Sequence, residues 1–155
     1  MSDEAQDTKY LNATDALKSF ENRDLSPVEH LDAIIYQAEK ISNSVNPFAD
    51  CYFDEARDLA KQAELKYFQG EARALEGIPL VVKDASAIKG KRTTYGSMLF
   101  SNNIDSHTDP AVKRLIDAGA IVFARSSCPE FCWLFTCHSK MWGVTRNPWR
   151  LDITP

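Results

Sequence analysis

Lys83 closes an uncharged run, Ile78-Pro79-Leu80-Val81-Val82, and is followed at once by Asp84. A short apolar run bounded by Gly77 on one side and a charged pair on the other has the length and composition of a buried interior β-strand. A lysine at the carboxyl end of such a strand stands where open α/β sheets present their ligands. In a dry site the ammonium form loses solvation, its pKa falls, and the neutral amine becomes a base. Such an amine can take the proton of a serine hydroxyl, which is the chemistry of Ser-Lys hydrolases. Spacing alone favours a simpler account, in which the strand ends in water and Asp84 opens a turn.

The second cluster of reactive side chains is Cys128, Cys132, Cys137 and His138. The order C-x3-C-x4-C-H lacks the paired C-x2-C knuckles of structural zinc, and adjacent Cys137 and His138 would strain to reach one ion together. The spacing therefore argues for free thiols and no metal, in keeping with a reducing compartment. Cys132 as a nucleophile, with His138 or His30 as base, has no neighbour in the sequence that marks it as activated. His107, between Asp105 and Asp109, reads as an exposed loop residue beside a helix cap.

The elements that must position these groups fall into two halves. The first is helical. A short helix is expected around Ala13 to Glu21, and Ser26-Pro27-Val28-Glu29 is a capping box with proline at the first helical position. Val28, Leu31, Ile34, Ile35, Ala38 and Ile41 then recur at helical spacing until Asn46-Pro47 breaks the pattern. A further helix runs from about Phe53 to Phe68, with Ala56, Leu59, Ala60 and Ala63 on its inner face and Gly70 as its stop. The second half alternates: the strand ending at Lys83, a helix capped at Asp109-Pro110 and ending at Ala118-Gly119, and a buried strand over Ala120–Ala124. That order is the grammar of an α/β sheet. From Cys128 to Pro155 the chain is loop-rich, punctuated at Gly143 and Asn147-Pro148. Two strands cannot make a sheet with both faces buried, so the sequence reads as cut at Pro155.

Composition narrows the function classes. The 155 residues are 44% hydrophobic and 26% charged, with 22 acidic and 18 basic residues and no run of either sign. That is the composition of a soluble globular domain and not of a nucleic-acid surface. No stretch has the length of a membrane span, and the polar, acidic N-terminus is no targeting peptide, so the cytoplasm is expected. Neither G-x-G-x-x-G nor G-x4-G-K-[ST] is present, which argues against a nucleotide-binding module.

A longer series of motifs carries a resemblance. Gly77-Ile78-Pro79-Leu80-Val81-Val82-Lys83-Asp84, Gly90, Thr93-Thr94-Tyr95-Gly96-Ser97, Asp109-Pro110-Ala111-Val112, Arg114-Leu115, Ala118-Gly119-Ala120, Pro129-Glu130-Phe131 and Gly143-Val144-Thr145-Arg146-Asn147-Pro148-Trp149 resemble, in order and spacing, the amidase-signature family. The resemblance covers Gly77 to Pro155 closely, and the helical first half is compatible with it. It implies a mixed sheet flanked by helices, of which residues 1–75 would supply the helical entry and 76–155 the start of the α/β core, an incomplete domain. It implies amide hydrolysis by a Ser-Ser-Lys triad, with Lys83 as the catalytic lysine and no metal or organic cofactor.

One serine of that triad lies in a Gly-Gly-Ser-Ser-Gly-Gly loop and the other is the nucleophile. Ser97, Ser101, Ser126, Ser127 and Ser139 stand at neither position, so the loop is expected just past Pro155 and the 155-residue chain is expected to be inactive alone. By the same resemblance Cys132 and Trp133 line the acyl side of the substrate pocket. Arg125-Ser126-Ser127 departs from the Lys-Thr-Asn common in the family, and Ser139 stands where asparagine is frequent. The expected partners are a small-molecule amide and the missing C-terminal remainder of the domain, with room for a homodimer at full length and no nucleic acid or membrane. Two alternatives stay open: the glutaminase subunit of a tRNA-dependent amidotransferase, and a truncated or split fragment without catalysis.

Overall fold

The computed structural model describes residues 8–155, so the polar stretch read above as no targeting peptide lies outside the described residues. After a 3-10 turn at Thr8–Tyr10 come helices α1 (Ala13–Asn22) and α2 (Pro27–Val45), strand β1 (Phe48–Cys51) and helix α3 (Phe53–Gln69). Strand β2 (Pro79–Lys83), helix α4 (Pro110–Asp117) and strand β3 (Ile121–Ser126) come next, and β4 (His138–Ser139) and β5 (Gly143–Val144) form a short hairpin in the tail.

Local chemistry sets the helix boundaries. The Asn12 side chain accepts the Asp15 N–H at the start of α1, and Arg23, in the left-handed region, ends it. Ser26 Oγ accepts the Val28 and Glu29 N–H groups while Glu29 takes the Ser26 N–H, so the capping box forms as the sequence requires. Gly70, at φ 72°, stops α3 with its N–H on the last turn. Ala56, Ala60 and Ala63 are fully buried along one stripe of α3, but Leu59, expected beside them, is exposed. It stands three residues after Ala56 and four before Ala63, at the margin of that stripe.

Sheet order is β1-β3-β2. Ile121 N–H bonds to Ile78 O and Asp84 N–H to Ser126 O, so β2 and β3 advance together, while β1 pairs antiparallel with β3. The sheet is therefore mixed. β3 is its central strand, and β2, expected in the interior, is an outer strand with Val81 exposed. The strand that takes the second place beside β3 is β1, a four-residue segment too short to show alternation.

The backbone divides into two compact units. The first comprises the chain up to Lys40, Tyr52–Leu80 and Leu115–Phe123. Its core sets Phe20 of α1 edge-on to Tyr67 of α3 and to His30 of α2. The second comprises Ile41–Cys51, Val81–Arg114 and Ala124–Pro155. Within it the Asn46 side chain donates to the Trp142 and Val144 carbonyls and Arg146 N–H bonds to Val45 O, which secures the β4–β5 hairpin. Asp109 stands before α4, its carbonyl accepting the Lys113 N–H at 2.8 Å, and its carboxylate accepts the Ala87 N–H in the loop after β2.

Candidate active site

Lys83 is the last residue of β2, in the second unit. Its side chain is exposed among the described residues, not stripped of water as the sequence reading required. The physical reason is the outer position of β2, which leaves nothing beyond it to exclude solvent.

The next residue is held firmly. Asp84 is fully buried. Its N–H donates to Ser126 O, and its carbonyl accepts the Tyr95 N–H at 3.0 Å and the Cys128 thiol at 3.5 Å. Its carboxylate accepts the Thr94 N–H at 2.8 Å, the Thr94 hydroxyl, and the Trp142 indole N–H at 2.9 Å. Arg125, also fully buried, stands 3.6 Å from the same carboxylate and donates to Thr93 Oγ1 at 2.6 Å. A buried carboxylate with three donors and a cation is compensated, and it fixes the direction in which β2 ends. Asp84 does open a turn, with the Ser86 N–H on Lys83 O at 3.1 Å, but its side chain is buried in this centre and not in water.

The Thr93–Ser97 segment wraps this centre. Thr93 donates to Asp105 at 2.5 Å, and Ser97 donates to Glu130 at 2.7 Å. Tyr95, Phe131 and Cys132 all adopt left-handed backbone angles, and the Phe131 N–H bonds to Tyr95 O at 2.7 Å. Non-glycine residues held there are strained and persist where the surroundings impose the conformation. Gly96, at φ 66°, could not carry a side chain, because a Cβ would stand 2.6 Å from Cys128 O. The backbones of 94–97 and 128–131 are therefore in direct contact beside Lys83.

The two residues expected to line the pocket lie in this second segment. Cys132 ends a 3-10 turn at Glu130–Cys132 and is exposed, and Trp133, which comes directly after it, is 85% exposed. Burial, with the nearby Cys132 thiol and Asp84, pushes the Cys128 thiol up to about 12, against the pull of the Lys83 charge. Of the bases weighed for a cysteine nucleophile, His138 faces Thr136 and His30 is buried on Phe20, where burial lowers its pKa despite a bond to the Thr8 backbone. His107 is exposed, 3.6 Å from Asp109, as expected.

Trp142 and Arg125 are the residues whose part in the centre was not foreseen. Arg125 stood out only as a departure from the usual Lys-Thr-Asn. Nothing in a loop-rich tail distinguishes a tryptophan before Gly143. No group of three or more His, Cys, Asp and Glu side chains converges among the described residues, and no described helix is long and apolar enough to cross a membrane.

Comparison with known proteins places this geometry. The family profile described as Amidase matches residues 29–155. The A-type subunit of the glutamyl-tRNA(Gln) amidotransferase of Geobacter metallireducens is 32% identical over 133 residues, covering 86% of this chain and 27% of that protein. Among solved structures, a fatty acid amide hydrolase superposes with a TM-score of 0.90 at 25% identity, over 97% of this chain and 27% of its own. A bacterial aryl acylamidase of the amidase signature enzymes shares the fold, with a TM-score of 0.88 at 22% identity over 95% of this chain and 31% of its own. The chain thus spans less than a third of the length of the relatives it matches. Within that span it belongs to the amidase family, whose members carry the amidase signature.

Proposed function

We propose that this chain contributes the general base of a serine amidase that cleaves carboxamide C–N bonds. The observation that carries the reading is Lys83 at the carboxyl end of β2, immediately before an Asp84 that is fully buried and bonded from four sides. A lysine whose neighbour cannot move has a fixed origin, so its amine has a defined place to meet a serine hydroxyl. Two serines of a Ser-Ser-Lys triad would come from residues corresponding to the part of the relatives that this chain does not span. Packing of that part over β2 would remove water from Lys83 and lower its pKa, leaving the amine neutral for proton transfer. Cys132 and Trp133 then line the acyl side of the pocket. The acyl-enzyme forms as the nucleophilic serine attacks the amide carbonyl, Lys83 taking its proton through the second serine, and the amine leaves with a proton returned by the same route. No metal or organic cofactor enters these steps.

The 155-residue chain is expected to show no amide hydrolysis by itself. Extended through the serine-bearing region of the family, it should turn over a simple aromatic or aliphatic amide. Lys83→Ala in that longer protein should lower kcat by on the order of 10⁴-fold or more, since members of such a triad act as a unit. Retention of turnover by that variant would refute the reading.

A second reading is supported by the names of the curated relatives, which are A-type subunits of glutamyl-tRNA(Gln) amidotransferases. In it the same lysine serves glutamine hydrolysis and the ammonia passes to a partner protein. Co-purification with such a partner, and glutamine hydrolysis dependent on it, would favour this reading over the stand-alone amidase. A third reading, a split or truncated product without catalysis, is favoured if the longer form also fails to hydrolyse amides.

A further inference from the structure

A cavity of about 120 Å³ opens in the first unit, where the end of α1, the start of α2 and the last turns of α3 meet. Its apolar walls are Phe20, Leu25, Pro27, Tyr67 and Phe68. Phe20 and Pro27 are fully buried, and the Tyr67 hydroxyl is bonded to Glu76 O at 2.9 Å. The floor therefore offers water few polar partners, and such a cavity suits an apolar group. Charged side chains line it as well. The Arg23 guanidinium lies over the Phe68 ring, 4.9 Å from its centroid. Its starting point is fixed by the left-handed cap at Arg23, whose N–H bonds to Phe20 O. Glu64 stands one turn before Phe68 on α3 and is half-buried. Residues so spaced on a helix lie about 6 Å apart, so Arg23 and Glu64 are neighbours. Yet apart from the ring contact, neither side chain has an ion-pair or hydrogen-bond partner among the described residues. Glu29, also lining the cavity, accepts the Ser26 N–H in the capping box.

We propose that this cavity is a binding site for a free α-amino acid with a branched aliphatic side chain, of the size of leucine. Each part of such a ligand has its counterpart. The side chain fills the apolar space: a dry cavity of about 150 Å³ holds benzene, and one of about 120 Å³ suits a branched butyl group. The ligand carboxylate meets Arg23, since a guanidinium stacked on a ring keeps its edge N–H donors free. The ammonium meets Glu64, a half-buried carboxylate that no described residue compensates. A ligand bearing only one of the two charges would leave the opposite group of the site without a partner. Recognition here makes and breaks no covalent bond. The cavity lies in the first unit and Lys83 in the second, so the proposal does not rest on the amidase reading.

The test is saturation-transfer NMR on the dilute 155-residue chain titrated with L-leucine. Saturable binding with a Kd at or below about 1 mM is expected, which is within reach of so small a ligand. Transfer should be strongest to the leucine methyl protons. 3-Methylbutylamine lacks the carboxylate, 4-methylpentanoate lacks the ammonium and glycine lacks the side chain. Each should bind more weakly than leucine by about tenfold or more. Arg23→Gln should bring leucine down to the affinity of the amine, and Glu64→Gln to that of the acid. Arg23 is exposed and Glu64→Gln keeps its shape, so both variants should keep the circular dichroism of the parent chain. If either unfolds, the analogues still decide on the unaltered chain. No saturation by about 10 mM leucine, an amine or an acid that binds as tightly as leucine, or full leucine affinity in either folded variant would overturn the proposal.

Discussion

Lys83 and Asp84 are neighbours with opposite structural duties. The lysine is exposed and the aspartate has no exposure at all. Replacing Lys83 by Ala should therefore change unfolding free energy by no more than ~0.5 kcal/mol, the usual range for a surface substitution. Asp84→Ala leaves the Arg125 guanidinium buried without its counter-charge and the Trp142 and Thr94 donors without an acceptor. That change should cost roughly 3–5 kcal/mol, read by urea denaturation of the two variants side by side. Equal losses would show that the centre is not organised around the carboxylate. The Lys-Asp pair and the Thr93–Ser97 stretch were legible in the sequence because residue type and order carry them. Trp142 was not, since its partners lie 58 and 48 residues away and a side-chain contact across that distance leaves no local signal. Nor could the sequence say that Lys83 is wet, because solvent access depends on what covers β2.

Elements succeed or fail in legibility by the same logic. The helices were readable because caps and a 3.6-residue period are local: Asn12, the Ser26–Glu29 box and Gly70 mark their ends. β1 escaped because four residues cannot display a period, and the outer place of β2 escaped because strand order is a long-range property. Close approach between two loops is equally invisible until the backbones are set side by side. Gly96 is where that approach is tightest, with Cys128 O at 2.6 Å and Pro129 O at 3.1 Å from a built Cβ. Gly96→Ala must push the 128–131 turn away from 94–97 and adopt a positive φ as well, so it should destabilise the chain by more than about 1 kcal/mol. It should also weaken the Phe131–Tyr95 bond. Gly90→Ala has the same kind of φ but open space around it, and it should cost less. A reversed order in thermal unfolding would place the strain elsewhere.

At the scale of the molecule, two buried titrating groups set the response to acid. Burial lowers the His30 pKa below its ordinary 6.5, against a bond to the Thr8 backbone. The unfolded chain then takes up a proton that the folded chain refuses, so stability is complete above about pH 6.5 and falls as the pH drops toward the folded value. Burial works to raise the Glu76 carboxyl, but the Arg73 guanidinium and backbone, with Lys66, outweigh it and hold the group below its ordinary 4.5. Its contribution is present above that value and lost as the pH falls through the folded pKa. Urea midpoints should therefore decline in two stages on acidification, and His30→Gln should flatten only the first. Solubility is governed by a different feature. Phe135, Trp149, Trp133 and Leu99 in the second unit are almost bare, and β2 adds an exposed Val81. Soluble monomers rarely leave so many large apolar side chains open, and an outer strand such as β2 offers unpaired backbone besides. The chain should bind the dye ANS at neutral pH and should elute at a mass that rises with concentration, association growing with salt. Charging the tail through Trp133→Lys and Phe135→Lys should reduce both effects without lowering stability by more than ~1 kcal/mol, since neither side chain is buried. A concentration-independent monomer with a sharp, cooperative thermal transition and no dye binding would mean that these surfaces need no cover.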